Sequence, residues 1–598
     1  MVFWLRNLFG AAPTPAAPPA ELPHALALIQ QGRSEQALLV LQAVLAADPG
    51  HAEAWYKQGN VLKDLKLPHE ALESYRHAIE FNPRHAPAHC NLGVVLLALG
   101  NAGDALRHCQ RAVEIDPHDA IAYYNCGMAE QTLGQPVAAL ASYTTAIELN
   151  SLYAEAHFSR ALLHEQSARW HEALNDYDQA LALRPGLAHA HFHRGNVLAQ
   201  LKRLDEALAS FELAVSDEPN NALAHLHRGN VLRELQYWDA AVASYDRAIA
   251  IEPGHADAHF NSAVVFELCK RFPEALQCFE RAIAIRPDFV AAQYNRALLL
   301  LQMGEFGAGF ENYEWRWMNR GAQLNPLDYH GEAPLWSGTE SLDGRRILVF
   351  SEQGLGDTLQ FCRYLKLLAG LGANVIFEVQ PQLAGLLATI DGASIVVARG
   401  EPIPPCDTKC ALMSLPLAFK TTVETIPSGH KYLHADATII ASWQARLGPQ
   451  VRPRIGLAWS GNPQYPNDDR RSIPLATLIE HLPREFDYFC LQKDIRPQDR
   501  AILDANPFIA HPAADWLSTA ALCECMDLVV SSCTSIAHLA GALGRPLWLM
   551  LAYNADWRWL ENREDSPWYP TATLYRQATQ GDWRARSRQV DQLDASVL

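Results

Sequence analysis

Arg346-Ile347-Leu348-Val349-Phe350-Ser351-Glu352-Gln353-Gly354-Leu355-Gly356-Asp357-Thr358-Leu359-Gln360-Phe361 reads as a short buried strand, a tight glycine turn, and a helix opening at or just after Asp357. Gly354 and Gly356 permit a sharp turn and close approach of the backbone to a ligand. A helix that starts there directs unpaired N–H groups and a positive dipole end at whatever occupies the turn. Asp357 puts one carboxylate at the rim. A dinucleotide fingerprint would need another glycine where Leu359 stands, and a P-loop would need a Gly-Lys-Ser/Thr that does not follow. Alone, the segment equally describes a capped strand–helix turn with Asp357 near the N-cap. Its neighbours decide.

Downstream, helix and strand alternate: an apolar helix over 359–371, a strand over 374–380, a helix over 381–390, a strand over 394–398 and a fourth strand at 409–415. This pattern predicts a small parallel α/β domain. Residues 441–451 lead to a second start, Arg454-Ile455-Gly456-Leu457-Ala458-Trp459-Ser460-Gly461-Asn462-Pro463, followed by strands over 488–492, 528–532 and 547–551. In the last third, Leu528-Val529-Val530-Ser531-Ser532 is a buried strand ending in hydroxyl residues, and a helix begins at about Thr534. Ligands of open α/β sheets bind at the carboxyl ends of the strands, and a helix N-terminus there suits a diphosphate. Thr534 and Ser535 add hydroxyl donors, and His538 lies one turn further on the same face.

Two consecutive α/β halves with a cleft between them describe the GT-B glycosyltransferase architecture. The motifs E-Q-G-L-G-D-T-L-Q-F, I-G-L-A-W-S-G-N-P, R-R-S-I-P-L, T-S-I-A-H-L-A-G-A-L-G-R-P and D-W-R-W-L-E-N-R-E-D-S-P-W-Y-P resemble the bacterial heptosyltransferase-type glycosyltransferases. More closely, they resemble bacterial proteins that join such a unit to tetratricopeptide repeats. The resemblance covers roughly 315–575. It implies inverting transfer without a metal, with Asp357 as general base or acceptor-positioning group. By the same resemblance Arg471 holds donor phosphate, and Cys533-Thr534-Ser535 with His538 forms the helix start at the donor. The donor site so implied also takes in Gln353, Gly354, Gly356, Trp459, Ser460, Gln492 and Ser532. Cys533 departs from the family, where an aspartate stands, and so departs from heptose as the sugar. Lys493 is similar to a phosphate-binding lysine of the O-GlcNAc transferases; its plain reading is a solvated lysine beside Asp494. Inverting transfer needs one base near the acceptor and stabilisation of a leaving diphosphate. Arg471, Lys493 and the helix near Thr534 supply that stabilisation without Mg²⁺, and the one D-x-D, Asp176-Tyr177-Asp178, falls in a repeat helix. No cofactor is expected beyond a nucleotide sugar as co-substrate.

Upstream the chain repeats with a period of 34, in units beginning at Pro18, Ala52, Ala86, Ala120, Ala154, Ala188, Ala222, Ala256 and a divergent Val290. The first helix of a unit carries a small residue (Gly59, Gly93, Gly127, Ala161, Gly195, Gly229, Ala263, Ala297). The second carries another (Ala37, Ala71, Ala105, Ala139, Ala173, Ala207, Ala241, Ala275). Prolines 49, 83, 117, 185, 219, 253 and 287 close the units, with Ser151 the exception. This resembles the tetratricopeptide repeat, an α-solenoid in which small residues let helices cross closely and proline ends the second helix. One position per unit reads Lys57, Asn91, Asn125, Ser159, His193, His227, Asn261, Asn295. A ladder of amides such as Asn91, Asn125, Asn261 and Asn295 can pair with an extended main chain, as in the similar repeats of the O-GlcNAc transferases; equally, such amides simply face solvent. His157, His191, His225 and His259 also recur at this period, at a position that packs inside the helix pair. Phe310, Tyr313 and Trp317 share a helical face and predict a capping helix that docks the array on the next domain.

The expected layout is a tail over 1–17, a repeat superhelix over 18–320, a linker over 321–345, an acceptor-side Rossmann-like half over 346–450 and a donor-side half over 451–598. With 598 residues the chain is too long for one domain, and a net charge of −17 argues against a general nucleic-acid binder. The 12 cysteines are scattered, and neither the Cys406/Cys410 nor the Cys523/Cys525 pair has a partner at zinc spacing, which suggests a reducing cytoplasm. MVFWLRNLF is too short to span a membrane and would touch one weakly at most. The expected function is a cytoplasmic glycosyltransferase acting on Ser or Thr of a protein held in the repeat groove. Resemblance to repeat-linked bacterial transferases suggests flagellin. The alternatives are an inactive scaffold for protein–protein interaction and a transferase with a glycan or lipid acceptor.

Overall fold

The computed structural model describes residues 21–592 except 188, 320–330, 428, 430, 465–467, 513 and 514. The expected tail, the unit starts at Pro18 and Ala188, and residues 321–330 of the expected linker lie outside the described residues. The chain divides into two compact units, 1–252 and 253–598.

In the first unit, helix pairs follow one another at the period read from the sequence. The second helices begin at Ser34, Pro68, Ala102, Pro136, Trp170, Leu204 and Trp238. Four of these pairs are locked by one large ring against a glycine, and in a fifth Cys109 takes the ring's place against Gly93. A Cβ on Gly59, Gly127, Gly195 or Gly229 would stand 2.5–2.9 Å from the ring of Tyr75, Tyr143, Phe211 or Tyr245, all at most 1% exposed. The glycine is therefore dictated by that ring, not by a general closeness of the helices. Polar cross-links repeat with the same logic sixteen residues apart: Gln58 Nε2 to Ser74 Oγ, Arg194 Nη1 to Ser210 Oγ, and Arg160 to both oxygens of Asp176 at 2.7 Å. Burial pushes the Asp176 carboxyl up, but Arg160 and His157 more than reverse this, so it stays ionised. Two members of the histidine file have a structural task. His157 Nε2 bonds the carbonyl of Ser151, and His225 Nε2 that of Pro219, each six residues earlier. Trp55, His89 and Gln293 bond Pro49, Pro83 and Pro287 in the same way, satisfying a carbonyl in the turn between units.

The second unit contains helix pairs Ala256–Leu268 with Phe272–Ile285 and Val290–Gln302 with Phe306–Tyr313, then a short helix Arg316–Asn319. Phe306, Phe310 and Tyr313 are buried in one core with Phe361, Trp557 and Trp568. Gln302 Nε2 and Lys270 Nζ both reach Glu561. The compact division consequently falls at 252/253, inside the array and not at its end near 320. Residues 331–345 are no loose linker either: Trp336 N donates to Lys409 O (2.8 Å) and Lys409 N to Pro334 O (2.9 Å), extending the first sheet's edge.

Among the described residues ten strands follow: β1 Arg346–Phe350, β2 Asn374–Val379, β3 Ile395–Ala398, β4 Thr408–Ala411, β5 Arg454–Ala458, β6 Asp487–Cys490, β7 Ile509–Ala510, β8 Leu528–Ser532, β9 Leu547–Leu551 and β10 Ala572–Arg576. They form two wholly parallel sheets, ordered β3-β2-β1-β4 and β10-β9-β8-β5-β6-β7. Leu348 pairs in register with Ile376 and Lys409, and Gly456 with Phe489 and Val529. The molecule is thus a tetratricopeptide solenoid followed by two Rossmann-like α/β halves. Both sheets reverse winding direction beside their first strand, between β1 and β4 and between β5 and β8. Those reversals are where such sheets bind ligands. The helix expected over 359–371 is broken into Leu355–Phe361, a 3₁₀ turn Cys362–Tyr364 and Leu365–Gly370.

Candidate active site

A cleft of about 530 Å³ lies at the β5/β8 reversal, within the ordinary range for small-molecule sites. Ser460, Gly461 and Asn462 after β5, Gln492, Lys493 and Asp494 after β6, and Thr534, Ser535 and Ile536 after β8 form three walls. Leu355 and Gln382 of the first half face them, with Trp516 and Thr519 beside. A larger hollow, about 780 Å³, is a surface groove of the repeats whose floor is closed by the Arg160–Asp176 pair.

Gln492 sets the cleft's shape. Its Oε1 accepts from the backbone N–H groups of Trp459 (2.5 Å) and Ser460 (2.7 Å), and its Nε2 donates to Ser460 Oγ. Gln492 is therefore a clamp between the ends of β5 and β6. Trp459 is buried, with Nε1 on Asp499, and does not line the cleft. The helix Ser535–Ala542 opens with Thr534 as an extended N-cap whose side chain does not cap it, leaving the first amides of the helix at the cleft. Lys493 is exposed, lines the cleft and has no ion-pair partner among the described residues. Of the residues expected at a donor, the structure brings Ser460, Gln492, Lys493, Thr534 and Ser535 together.

The others stand behind. Arg471 Nε donates to Asp468 Oδ1 (2.8 Å), and its Nη2 packs under Gly461, where a Cβ would meet it at 2.5 Å. Asp468 is 3% exposed and also holds Arg496. Ser532 is buried. Cys533 Sγ accepts from Trp559 Nε1 (3.1 Å), and burial pushes its thiol up to about 11. His538 stacks on Trp559 (5.4 Å) and bonds Tyr569 through Nδ1 (2.8 Å); burial, aided by the Arg558 charge, lowers its pKa to about 3, so the ring is neutral.

The glycine turn differs from its expected form. The helix starts at Leu355, two residues before Asp357, and Gly354 is the N-cap in ordinary extended backbone (φ −74°, ψ 171°). Asp357 sits in the first helical turn, where its Oδ2 accepts from Gly354 N–H (2.9 Å) and its Oδ1 pairs with Arg558. Neither glycine has a positive φ. Gly356 is required by contact instead: a Cβ there would stand 2.9 Å from Cδ2 of His538. Gln353 donates through Nε2 to Tyr313 Oη (2.8 Å). Arg558, itself held by Asp556 at 2.9 Å, was missed by residue-level reading although the D-W-R-W motif contains it.

The amides of the repeats divide. Asn125 is 5% exposed and donates to Cys90 Sγ (3.1 Å), so its Nδ2 is used inside the fold. Asn91 donates to Asn60 Oδ1 (2.8 Å) and is half-buried, as are Asn261 and Asn295. An open ladder of four amides is not what the structure presents at Asn125. Among the described residues no group of three His, Cys, Asp or Glu side chains is arranged to hold a metal ion, and no helix is long and apolar enough to cross a membrane.

Comparison with known proteins places tetratricopeptide repeats at residues 22–81, 84–151, 160–222, 226–288 and 270–311. Protein FlbA of Caulobacter vibrioides is 27% identical over 314 residues, 48% of this chain and 52% of FlbA, so the match spans about half the length of that relative. Among solved structures, the tetratricopeptide protein YrrB is similar at 27% identity and a TM-score of 0.31 over 32% of this chain and 98% of its own. PilF of Pseudomonas aeruginosa is similar at 21% identity and a TM-score of 0.32 over 36% of this chain and 96% of its own. The chain thus carries tetratricopeptide repeats across its N-terminal part and is similar to FlbA.

Proposed function

We propose that the protein is a glycosyltransferase that moves a sugar from a nucleotide sugar to Ser or Thr of a protein acceptor, with inversion and without a metal. The observation that carries this reading is the cleft at the β5/β8 reversal, where an open helix start and the exposed Lys493 meet. In the proposed step the acceptor oxygen attacks the anomeric carbon while the bond to the diphosphate breaks. The electron pair leaves with the diphosphate, which the helix amides and Lys493 neutralise. The acceptor proton passes to Asp357 once its pairing with Arg558 is exchanged for the substrate. Gln382, Asn462 and Trp516 offer polar and aromatic contacts to the sugar or base. The repeats supply protein recognition, and flagellin is the acceptor suggested by resemblance. The cytoplasm is the expected site of action.

A second reading is a scaffold without transfer. It is favoured by one observation: both carboxylate oxygens of Asp357 are already engaged. Incubation with a panel of nucleotide sugars, with and without candidate acceptor proteins, separates the two. Release of nucleoside diphosphate coupled to a mass increase on the acceptor supports transfer; nucleotide binding without release in any combination sinks it.

A further inference from the structure

The β1/β4 reversal, the ligand position of the first half, is occupied by the end of the repeat array. Arg316, 4% exposed, reaches in from the short helix after Tyr313. Its Nη2 donates to Glu352 Oε1 (3.1 Å) and to Ser414 Oγ (2.7 Å), and its Nη1 pairs with Glu314. Glu352, the second residue after β1, also accepts from Met413 N–H (3.3 Å) and is buried. One residue further, Gln353 is gripped at both ends: its side chain donates to Tyr313 Oη, and its carbonyl accepts from Gln380 Nε2 (2.8 Å). The next residue is Gly354, whose N–H orients Asp357. Tyr313 is itself fixed, 2% exposed among Phe310 and Trp557.

We propose that Tyr313 and Arg316, at the last turns of the repeat array, are positioning residues for the 351–357 turn and, through it, for Asp357. Among the described residues no hydrogen bond or ion pair joins either of them to a residue that lines the β5/β8 cleft, so their effect falls on the acceptor side. Buried groups joined by several charged hydrogen bonds hold a loop in one geometry far better than packing alone. The consequence for turnover rests on the transferase reading above; the consequence for the turn does not.

The test uses the full chain and two variants. Tyr313→Phe deletes one hydroxyl and keeps the ring in the core; Arg316→Lys keeps the charge and loses the fork. Hydrogen–deuterium exchange over 351–361 is expected to speed up at least tenfold in both, with 528–542 unchanged. Affinity for a free nucleoside diphosphate stays within twofold. Where transfer is measurable, kcat falls about tenfold or more while donor KM holds, a split that general loosening does not produce. Unchanged exchange at 351–361 in Tyr313→Phe and Arg316→Lys overturns the proposal. Faster exchange there, with no transfer by the parent protein, leaves the positioning role standing and removes the transferase reading.

Discussion

Lys493→Ala and Arg471→Ala form a discriminating pair. Lys493 is an exposed cation at the cleft with no ion-pair partner among the described residues, so it is available to a diphosphate. A charged hydrogen bond contributes about 1.5–3 kcal/mol. Exposure and salt screening put this one at the lower end, about 1.5 kcal/mol, or roughly a tenfold weaker Kd. Melting should be unaffected because nothing in the fold depends on the ammonium. Arg471 is the reverse case. Its Nε holds a buried Asp468, so removal withdraws one of the cations facing that carboxylate and should lower stability by about 1–3 kcal/mol. Its guanidinium lies under Gly461 and not at the cleft surface, so Kd should move by less than about threefold. Calorimetry with free nucleoside diphosphates at two salt concentrations, alongside thermal melting, reads both. Unchanged affinity in Lys493→Ala, or a larger affinity loss in Arg471→Ala, refutes the assignment of the cleft's cation.

Gly127→Ala should destabilise the repeats by about 1–3 kcal/mol, since the new methyl would stand 2.6 Å from the buried Tyr143 ring; a neutral effect in denaturant melts would mean the ring can yield. Cys533→Ala leaves the Trp559 N–H without its sulfur and should cost about 1–2 kcal/mol of stability, whereas unchanged melting would make that contact incidental. His538 titrates near 3 in the fold against 6.5 unfolded. Its contribution is therefore complete above pH about 6.5 and falls by about 1.4 kcal/mol per pH unit below it; His538→Gln should flatten that slope, and an unaltered slope between pH 6.5 and 4.5 contradicts a neutral buried ring. Asp357→Asn should lower any transfer by about 10²–10⁴-fold with little change in nucleotide affinity, and near-normal turnover would leave Asp357 as a cap and ion-pair partner only.

Much of this architecture was legible because its signals are local. Short apolar runs such as Ile347-Leu348-Val349-Phe350, followed closely by a glycine turn, read as strands buried on both faces, and the period of 34 fixes helix starts such as Ala52, Ala86 and Ala120. The helix start at Leu355 was read two residues late because Asp357, a typical N-capping residue, instead caps from inside the first turn while Gly354 takes the boundary. β7 is two residues long, and β10 mixes Thr573 and Arg576 into an edge strand, so neither stands out. Arg558 was illegible for another reason: its bond to Asp357 joins residues 201 apart, and no local pattern encodes that. The same holds for Gln492, which reads as a ligand group by its place after a strand but is used by two backbone amides.

The division at 252/253 falls between like and like, with a 34-residue module on either side. Upstream, the ring-against-glycine contacts lie within single modules, so deletion or duplication of a whole module interrupts only boundary contacts such as those of His157 and His225 with the preceding turn. Downstream, loss of a module would strip Lys270 and Gln302 from Glu561 or Tyr313 from Gln353. The gene can therefore drift in length by multiples of 102 nucleotides on one side of Pro253 only. A change in the number of modules upstream of Pro253 would alter the extent of the repeat surface while leaving Lys270, Gln302 and Tyr313 on their partners.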